Sequence, residues 1–236
     1  MFMNEEYLAI VTARMGSKRL PGKNIRNFCG KPLFVWSILA GLECPKVARV
    51  LVSTDSEEYQ QIAIGVGAEC SCLRPSELAA DDTSSADVVS EMLERLGEQV
   101  SDYRGVVLLQ PTSPLRTVED ISSAITLFEM RKAPAVVSVS LSECPPAWLG
   151  KLPSNLVLDE FISSRSSGLR SQDLGEWYRL NGAVYVVNTQ VFLSEHTFMP
   201  PGTVGYVMPR ERSIDVDTEF DFRLAELLMV NSICSK

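Results

Sequence analysis

Four near-continuous apolar runs, Leu8–Val11, Val47–Ser53, Gly105–Leu109 and Ala135–Ser140, alternate with helical patterns over the first part of the chain. A strand that is apolar on both faces must be covered on both faces, and a parallel sheet with helices above and below does this. The expected fold is a three-layer α/β sandwich with a mostly parallel sheet, carried by residues 1–236 as a single domain. Helices are expected at Leu33–Leu42 behind Pro32, and from Asp55, whose spacing to Glu58 fits a capping box, to Gly65 or Gly67. Further helices are expected from Ser84 or Ser85 to about Leu96, from Thr117 with Asp120, and over Glu219–Val230. Shorter strands are expected at Ala68–Leu73, Ala183–Val187 and Val204–Met208.

In sheets of this kind ligands sit beyond the carboxyl ends of the strands. The loops at 12–24, 53–55, 74–85 and 110–116 all follow strand patterns, so they should share one rim. The first is the most informative. It carries Arg14, Lys18, Arg19 and Lys23 among Gly16 and Gly22, which suits a polyphosphate, since glycine lets backbone approach and the cations neutralise charge. A solvated basic turn is the plainer reading of the same residues. It is not a Walker A loop: five residues separate Gly16 from Gly22, and Asn24 rather than Ser or Thr follows Lys23. A G-x-G-x-x-G fingerprint is also missing there.

The net charge of −8 runs against this local cluster and excludes a nucleic-acid binder held by a basic face. No apolar run reaches the roughly 18 residues of a membrane span, and Met1–Tyr7 lacks a signal-peptide pattern. A cytoplasmic protein is expected. The six cysteines are irregularly spaced and His196 is the single histidine, so neither a disulfide framework nor a zinc site is indicated. Residues 141–180 break the strand–helix rhythm with Pro145, Pro146 and Pro153. Their apolar side chains (Trp148, Leu149, Leu152, Leu156–Leu158, Phe161) suit packing against a second subunit, although a lid or a surface loop would read the same way.

Ser213–Asp217 alternates polar and apolar residues ahead of the last helix. On a strand, Asp215 and Asp217 would share a face with Cα atoms roughly 6 to 7 Å apart. Two carboxylates so placed suit Mg²⁺, which takes one or two carboxylates and completes its shell with phosphates and water. Thr218 and Asp221 also have capping-box spacing, which accounts for the start of the helix but not for Asp215.

Taken together, segments 13–24, 52–56, 73–79, 108–116, 181–185 and 213–219 resemble the acylneuraminate cytidylyltransferase family. This family comprises the CMP-sialic acid synthetases and their relatives for legionaminic and pseudaminic acids. The runs Leu108–Arg116 and Ser213–Glu219 are the most specific. The resemblance implies a nucleotide-diphospho-sugar-transferase-like fold with a small dimerisation arm within 141–180, hence a homodimer. It implies CTP and an acidic nine-carbon sugar as substrates, and Mg²⁺ held by Asp215 and Asp217. Arg14, Lys23, Asp215 and Arg170 would carry catalysis. Ala13, Arg14, Gly16, Ser17, Lys18, Lys23 and Asn24 would bind the nucleotide, with Arg74 and Ser85. Gln110, Arg170, Gln172, Arg179, Asn181 and Tyr185 would face the sugar. Met15 is also similar to a branch acting in spore-coat polysaccharide synthesis, and Leu169–Gln172 stands where the family has paired arginines before glutamine. The sugar acid therefore stays open among sialic, legionaminic, pseudaminic and KDO-like acids.

Overall fold

The computed structural model describes residues 6–80, 82–158, 170 and 174–234. In chain order the elements are β1 (Tyr7–Thr12), a small hairpin of β2 (Asn27–Phe28) and β3 (Lys31–Pro32), α1 (Leu33–Leu42), β4 (Val47–Ser53), α2 (Glu57–Gly65) and α3 (Ser85–Leu96). They continue with β5 (Gly105–Leu108), α4 (Val118–Arg131), β6 (Ala135–Leu141), β7 (Tyr178–Asn188), α5 (Thr189–Glu195), β8 (Val204–Val207) and α6 (Glu219–Cys234). The main sheet runs β4-β1-β5-β7-β6-β8. Its pairs are parallel except that β7 lies antiparallel between β5 and β6. The sheet is thus mostly parallel, with one reversed strand.

β1 shows why the fold has three layers. Alternate side chains leave a strand on opposite faces. Tyr7, Ala9 and Val11 enter a core with Phe34 and Ile38 of α1 and Ile121 and Phe128 of α4. Leu8 and Ile10 enter a second core with Val89 and Leu93 of α3 and Phe192 of α5. Tyr7 to Val11 are fully buried, and each large one contributes about 1.5–3 kcal/mol of hydrophobic stabilisation.

Local signals behave as expected where both partners are close in sequence. Ser84 and Asp87 form a reciprocal capping box at α3, and Thr117 and Asp120 form another at α4. Three expectations need correction. Asp55 does not cap α2: Ser56 does, accepting from the Tyr59 N–H, because the Asp55 carboxylate instead accepts the Met15 N–H at 2.8 Å. Ala68–Leu73 is not a strand. Glu69 alone bridges to Leu51, and the next carbonyl, of Cys70, accepts from Gln60 Nε2 of α2 rather than from a neighbouring strand. Residues 213–217 form no regular strand; Val216 N–H donates to Thr112 O of the rim at 2.8 Å.

A third core positions the site. Leu20 of the cationic loop, Phe28, Leu33, Leu115, Val216 and Phe222 of α6 pack together. This cluster locks the loop after β1 against the acidic segment before α6.

Candidate active site

At the carboxyl ends of β1, β4 and β5 a cavity of about 560 Å³ opens, within the usual range for a small-molecule site. Three of the four loops expected to share a rim line it; the loop at 53–55 does not, and instead accepts from Ala13 N–H through Ser53 O and from Arg74 N–H through Thr54 O. Arg14, Ser17, Lys18, Arg19, Lys23 and Asn24 line one wall. Arg74, Thr83, Ser85 and Gln110–Thr112 also line the cavity, and Asp215 with Asp217 come to it from the segment before α6.

The loop is held by backbone groups. Gly22 has φ +66°, a left-handed turn that glycine adopts without strain. Asn24 is 4 % exposed and its Nδ2 donates to Arg14 O at 2.8 Å, tying the two ends of the loop together. Ala13 is buried, and its N–H donates to Ser53 O at 2.9 Å, so it shapes the wall from behind. Gly16 is exposed beside the cavity without lining it. Arg74 is held against the end of β4, its Nε and Nη2 donating to Ser53 Oγ and O at 2.9 and 2.8 Å; burial pulls this guanidinium below its usual range.

The acidic wall is set by Val216, which is fully buried in the third core and leaves its two neighbours on the cavity. Lys23 Nζ reaches Asp217 Oδ1 at 2.8 Å and Val216 O at 2.9 Å. Arg19 Nη2 reaches Asp217 Oδ2 at 2.8 Å. Asp215 differs. Burial pushes its carboxyl above the usual range, Asp217 adds to this, and the Thr112 hydroxyl, Lys23 and Arg19 oppose it. Its Oδ1 is buried without a hydrogen-bond partner. An orphaned carboxylate oxygen beside a second carboxylate fits a hard divalent cation. Among the described residues no three His, Cys, Asp or Glu side chains cluster to hold a metal ion by themselves.

The residues expected at the sugar divide. Gln110 lines the cavity. Its carbonyl accepts from Ser37 Oγ and Arg116 Nη2. Arg116 also donates to Ala183 O at 2.6 Å. Arg179, Asn181 and Tyr185 do not line the cavity but gather behind the acidic segment. Arg179 Nη2 donates to Ser213 O at 3.1 Å, and Asn181 Nδ2 to Ser213 Oγ at 2.9 Å. Asn181 is 1 % exposed, and its Oδ1 accepts from Ser138 Oγ at 2.6 Å and from Ala183 N–H at 3.1 Å. Burial pushes the Tyr185 phenol up, and Asp215 adds to the shift. Arg170 is exposed and is not among the residues lining the cavity; Gln172 lies outside the described residues. Thr112 and Arg116 go unassigned in the sequence, and Arg19 reads there only as one of the loop cations, without a separate role. Arg19 had a signal, since it belongs to the same cation cluster. The other two are recognisable only once Asp215 and Gln110 are in place.

A cation-rich wall beside carboxylates, with no histidine among the lining residues, suits transfer of a nucleotidyl group by positioning and charge. The class so defined is that of the nucleotidyltransferases. Residues 8–143 match the family model for cytidylyltransferases, and the chain belongs to that family. It is 34 % identical over 225 residues to the CMP-N,N'-diacetyllegionaminic acid synthase of Legionella pneumophila, covering 94 % of this chain and 95 % of that one. It is 36 % identical over 224 residues to the N-acylneuraminate cytidylyltransferase of Escherichia coli O18:K1:H7, covering 94 % of this chain and 52 % of that protein, so it spans about half of that relative's length. The fold is shared with CMP:2-keto-3-deoxy-manno-octonic acid synthetase complexed with CTP, at a TM-score of 0.71 and 18 % identity over 96 % of this chain and 99 % of the other.

Proposed function

We propose that this enzyme transfers CMP from CTP to the anomeric hydroxyl of a nine-carbon 2-keto-3-deoxy sugar acid, releasing pyrophosphate. The observation that carries the reading is the meeting, in one cavity, of the cationic loop after β1 with Asp215 and Asp217. The relatives that match over nearly the whole of this chain, named for legionaminic and N-acylneuraminic acids, support this choice of acid.

In this reading the sugar hydroxyl attacks the α-phosphorus, an O–P bond forms, the bond to the β-phosphate oxygen breaks, and pyrophosphate leaves in line. Arg14, Lys18, Arg19 and Lys23 neutralise the triphosphate and the departing charge. Ser17, Asn24, Arg74 and Ser85 hold the nucleotide around them. Gln110 faces the sugar acid, and Arg179, Asn181 and Tyr185 position that side of the site from behind. Mg²⁺ bound by Asp215 and Asp217 would add charge neutralisation at the phosphates. With no histidine at the cavity, the hydroxyl proton is left to a carboxylate or to water.

The dimer belongs to the same proposal. On and beside the described part of 141–180, Leu149, Leu152, Leu156 and Leu158 are exposed, as are Trp177, Tyr178 and Leu180. An apolar surface of that kind suits a partner chain. No helix of the described residues is long and apolar enough to cross a membrane, and we read the enzyme as cytoplasmic, where its nucleotide substrate is found.

The test is pyrophosphate release with CTP, UTP and ATP against a panel of eight- and nine-carbon 2-keto-3-deoxy sugar acids. Release is expected only when CTP, Mg²⁺ and a nine-carbon acid are all present. Equal release without sugar acid, or with an eight-carbon acid alone, rejects the reading. Gly182 supplies a finer check. It has φ +73°, and a Cβ there would lie 2.4 Å from Gln110 Oε1. Gly182→Ala is expected to displace the Gln110 amide and to raise KM for the sugar acid about tenfold, a change of about 1.4 kcal/mol, while CTP affinity stays within about twofold. Equal loss on both substrates would show a general collapse of the site instead.

A further inference from the structure

The cations that would take the phosphates are already engaged. Both oxygens of Asp217 are taken by loop cations, Oδ1 by Lys23 and Oδ2 by Arg19, each at 2.8 Å. The two contacts differ in weight. The Arg19 side chain is 71 % exposed, and such a pair contributes little in water. The Lys23 side chain is 12 % and that of Asp217 23 % exposed, so this pair is much less screened. The surrounding contacts hold the pair in register. Val216 is fully buried in the apolar core and its carbonyl accepts a second bond from Lys23, while the Asp217 N–H donates to Asp221 Oδ2 at 3.2 Å.

We infer that Asp217 is a selector that makes the site discriminate between metal-loaded and metal-free triphosphate; the inference rests on the nucleotide reading above. A bare triphosphate must displace the Asp217 carboxylate from Lys23, and it does so while approaching two carboxylates of its own sign. Both effects oppose binding. A divalent cation carried on the triphosphate reverses the second effect and gives the Asp217 oxygens a new partner, which frees Lys23 for phosphate. Asp217 thus occupies the phosphate grip as a stand-in anion until the nucleotide arrives with its cation.

The charge, and not the shape, of Asp217 carries this argument, so Asp217→Asn isolates it. Binding of CTP to the protein is measured by titration calorimetry at fixed ionic strength, once in EDTA and once in excess Mg²⁺. The wild type is expected to bind CTP at least tenfold more tightly with Mg²⁺. Asp217→Asn is expected to bind CTP in EDTA about tenfold more tightly than the wild type and to lose most of the Mg²⁺ preference. Tripolyphosphate in EDTA is the second probe, because it reports the grip without the base. A gain for tripolyphosphate in the variant with no CTP binding by either protein upholds the selector and rejects the nucleotide reading. Mg²⁺-dependent CTP binding by the wild type with no gain in EDTA for the variant overturns the selector and leaves the nucleotide reading standing. Should Asp217→Asn fail to fold, Asp217→Ala is expected to shift both probes in the same direction, and no shift there overturns the selector equally.

Discussion

Lys23→Ala is expected to lower kcat/KM for CMP-sugar formation by about a thousandfold while leaving the protein folded. Removing one preorganised donor from a transition state costs roughly 10²–10³ in rate, and Lys23 is placed for the upper end. Its Nζ donates to the Val216 carbonyl at 2.9 Å, which keeps it aimed into the cavity when its 2.8 Å bond to Asp217 is exchanged for phosphate. Its side chain is largely shielded from solvent, where a charge acts more strongly than in water. The fold has little stake in the residue, because Leu20, Val216 and Phe222 hold the loop to the acidic segment through apolar contact. Steady-state kinetics alongside a thermal melt would decide it. Turnover within tenfold of the wild type, with an unchanged melting temperature, removes Lys23 from the catalytic group.

Asp120→Ala should act on stability, by about 3 kcal/mol. The Asp120 side chain is fully buried, yet it accepts from Arg212 Nε and Nη2 at 2.9 and 2.8 Å and from Thr117 N–H and Oγ1 at 3.0 and 2.9 Å. Removing one partner of a buried pair costs about 3–5 kcal/mol, and the capping box adds about 1. Arg212 is partly exposed and can turn to water, which brings the sum back to the lower figure. For a chain of this size that is a fall of roughly 6–12 °C in Tm. Burial alone would raise this carboxyl, but the bonds from Arg212 and Thr117 outweigh it and hold it below its usual range. A carboxyl lowered in the folded state stabilises fully above its unfolded pKa of about 4 and loses that contribution as pH falls through the folded value. The gap between wild type and variant is therefore expected to be constant from pH 8 to 5 and to narrow below pH 4. A gap that widens in acid would contradict this.

What could be read from residues alone follows the range of each interaction. The capping boxes at Ser84 and Thr117 close over three residues, and their spacing is their geometry. Asp55 has the same spacing and fails, because an N–H forty positions earlier competes for its carboxylate. The direction of β7 was invisible for another reason: a strand apolar on both faces looks the same whichever way it runs. α5 was missed because it is only seven residues long, and Asn188 caps it through two N–H groups without a periodic apolar face to announce it. The walls of the cavity were legible as residue types after strands. That Asn181 spends its amide inside the protein was not, since its partners Ser138 and Ser213 are 43 and 32 positions away; nor was it legible that Lys23 and Asp217 hold one another across the chain, which depends on what the third core brings together.

Val216 gives that core a wider meaning. The cavity is spanned by two walls from opposite ends of the chain, and both rest on one apolar cluster that includes Leu20, Leu115 and Phe222. The hydrocarbon beneath them brings the two segments within reach, and the contacts of Lys23 and Arg19 with Asp217 close over it. Substitutions that repack this cluster, far from any reacting atom, offer a way to widen or narrow the gap and so to retune which cation and which phosphate chain the cleft accepts.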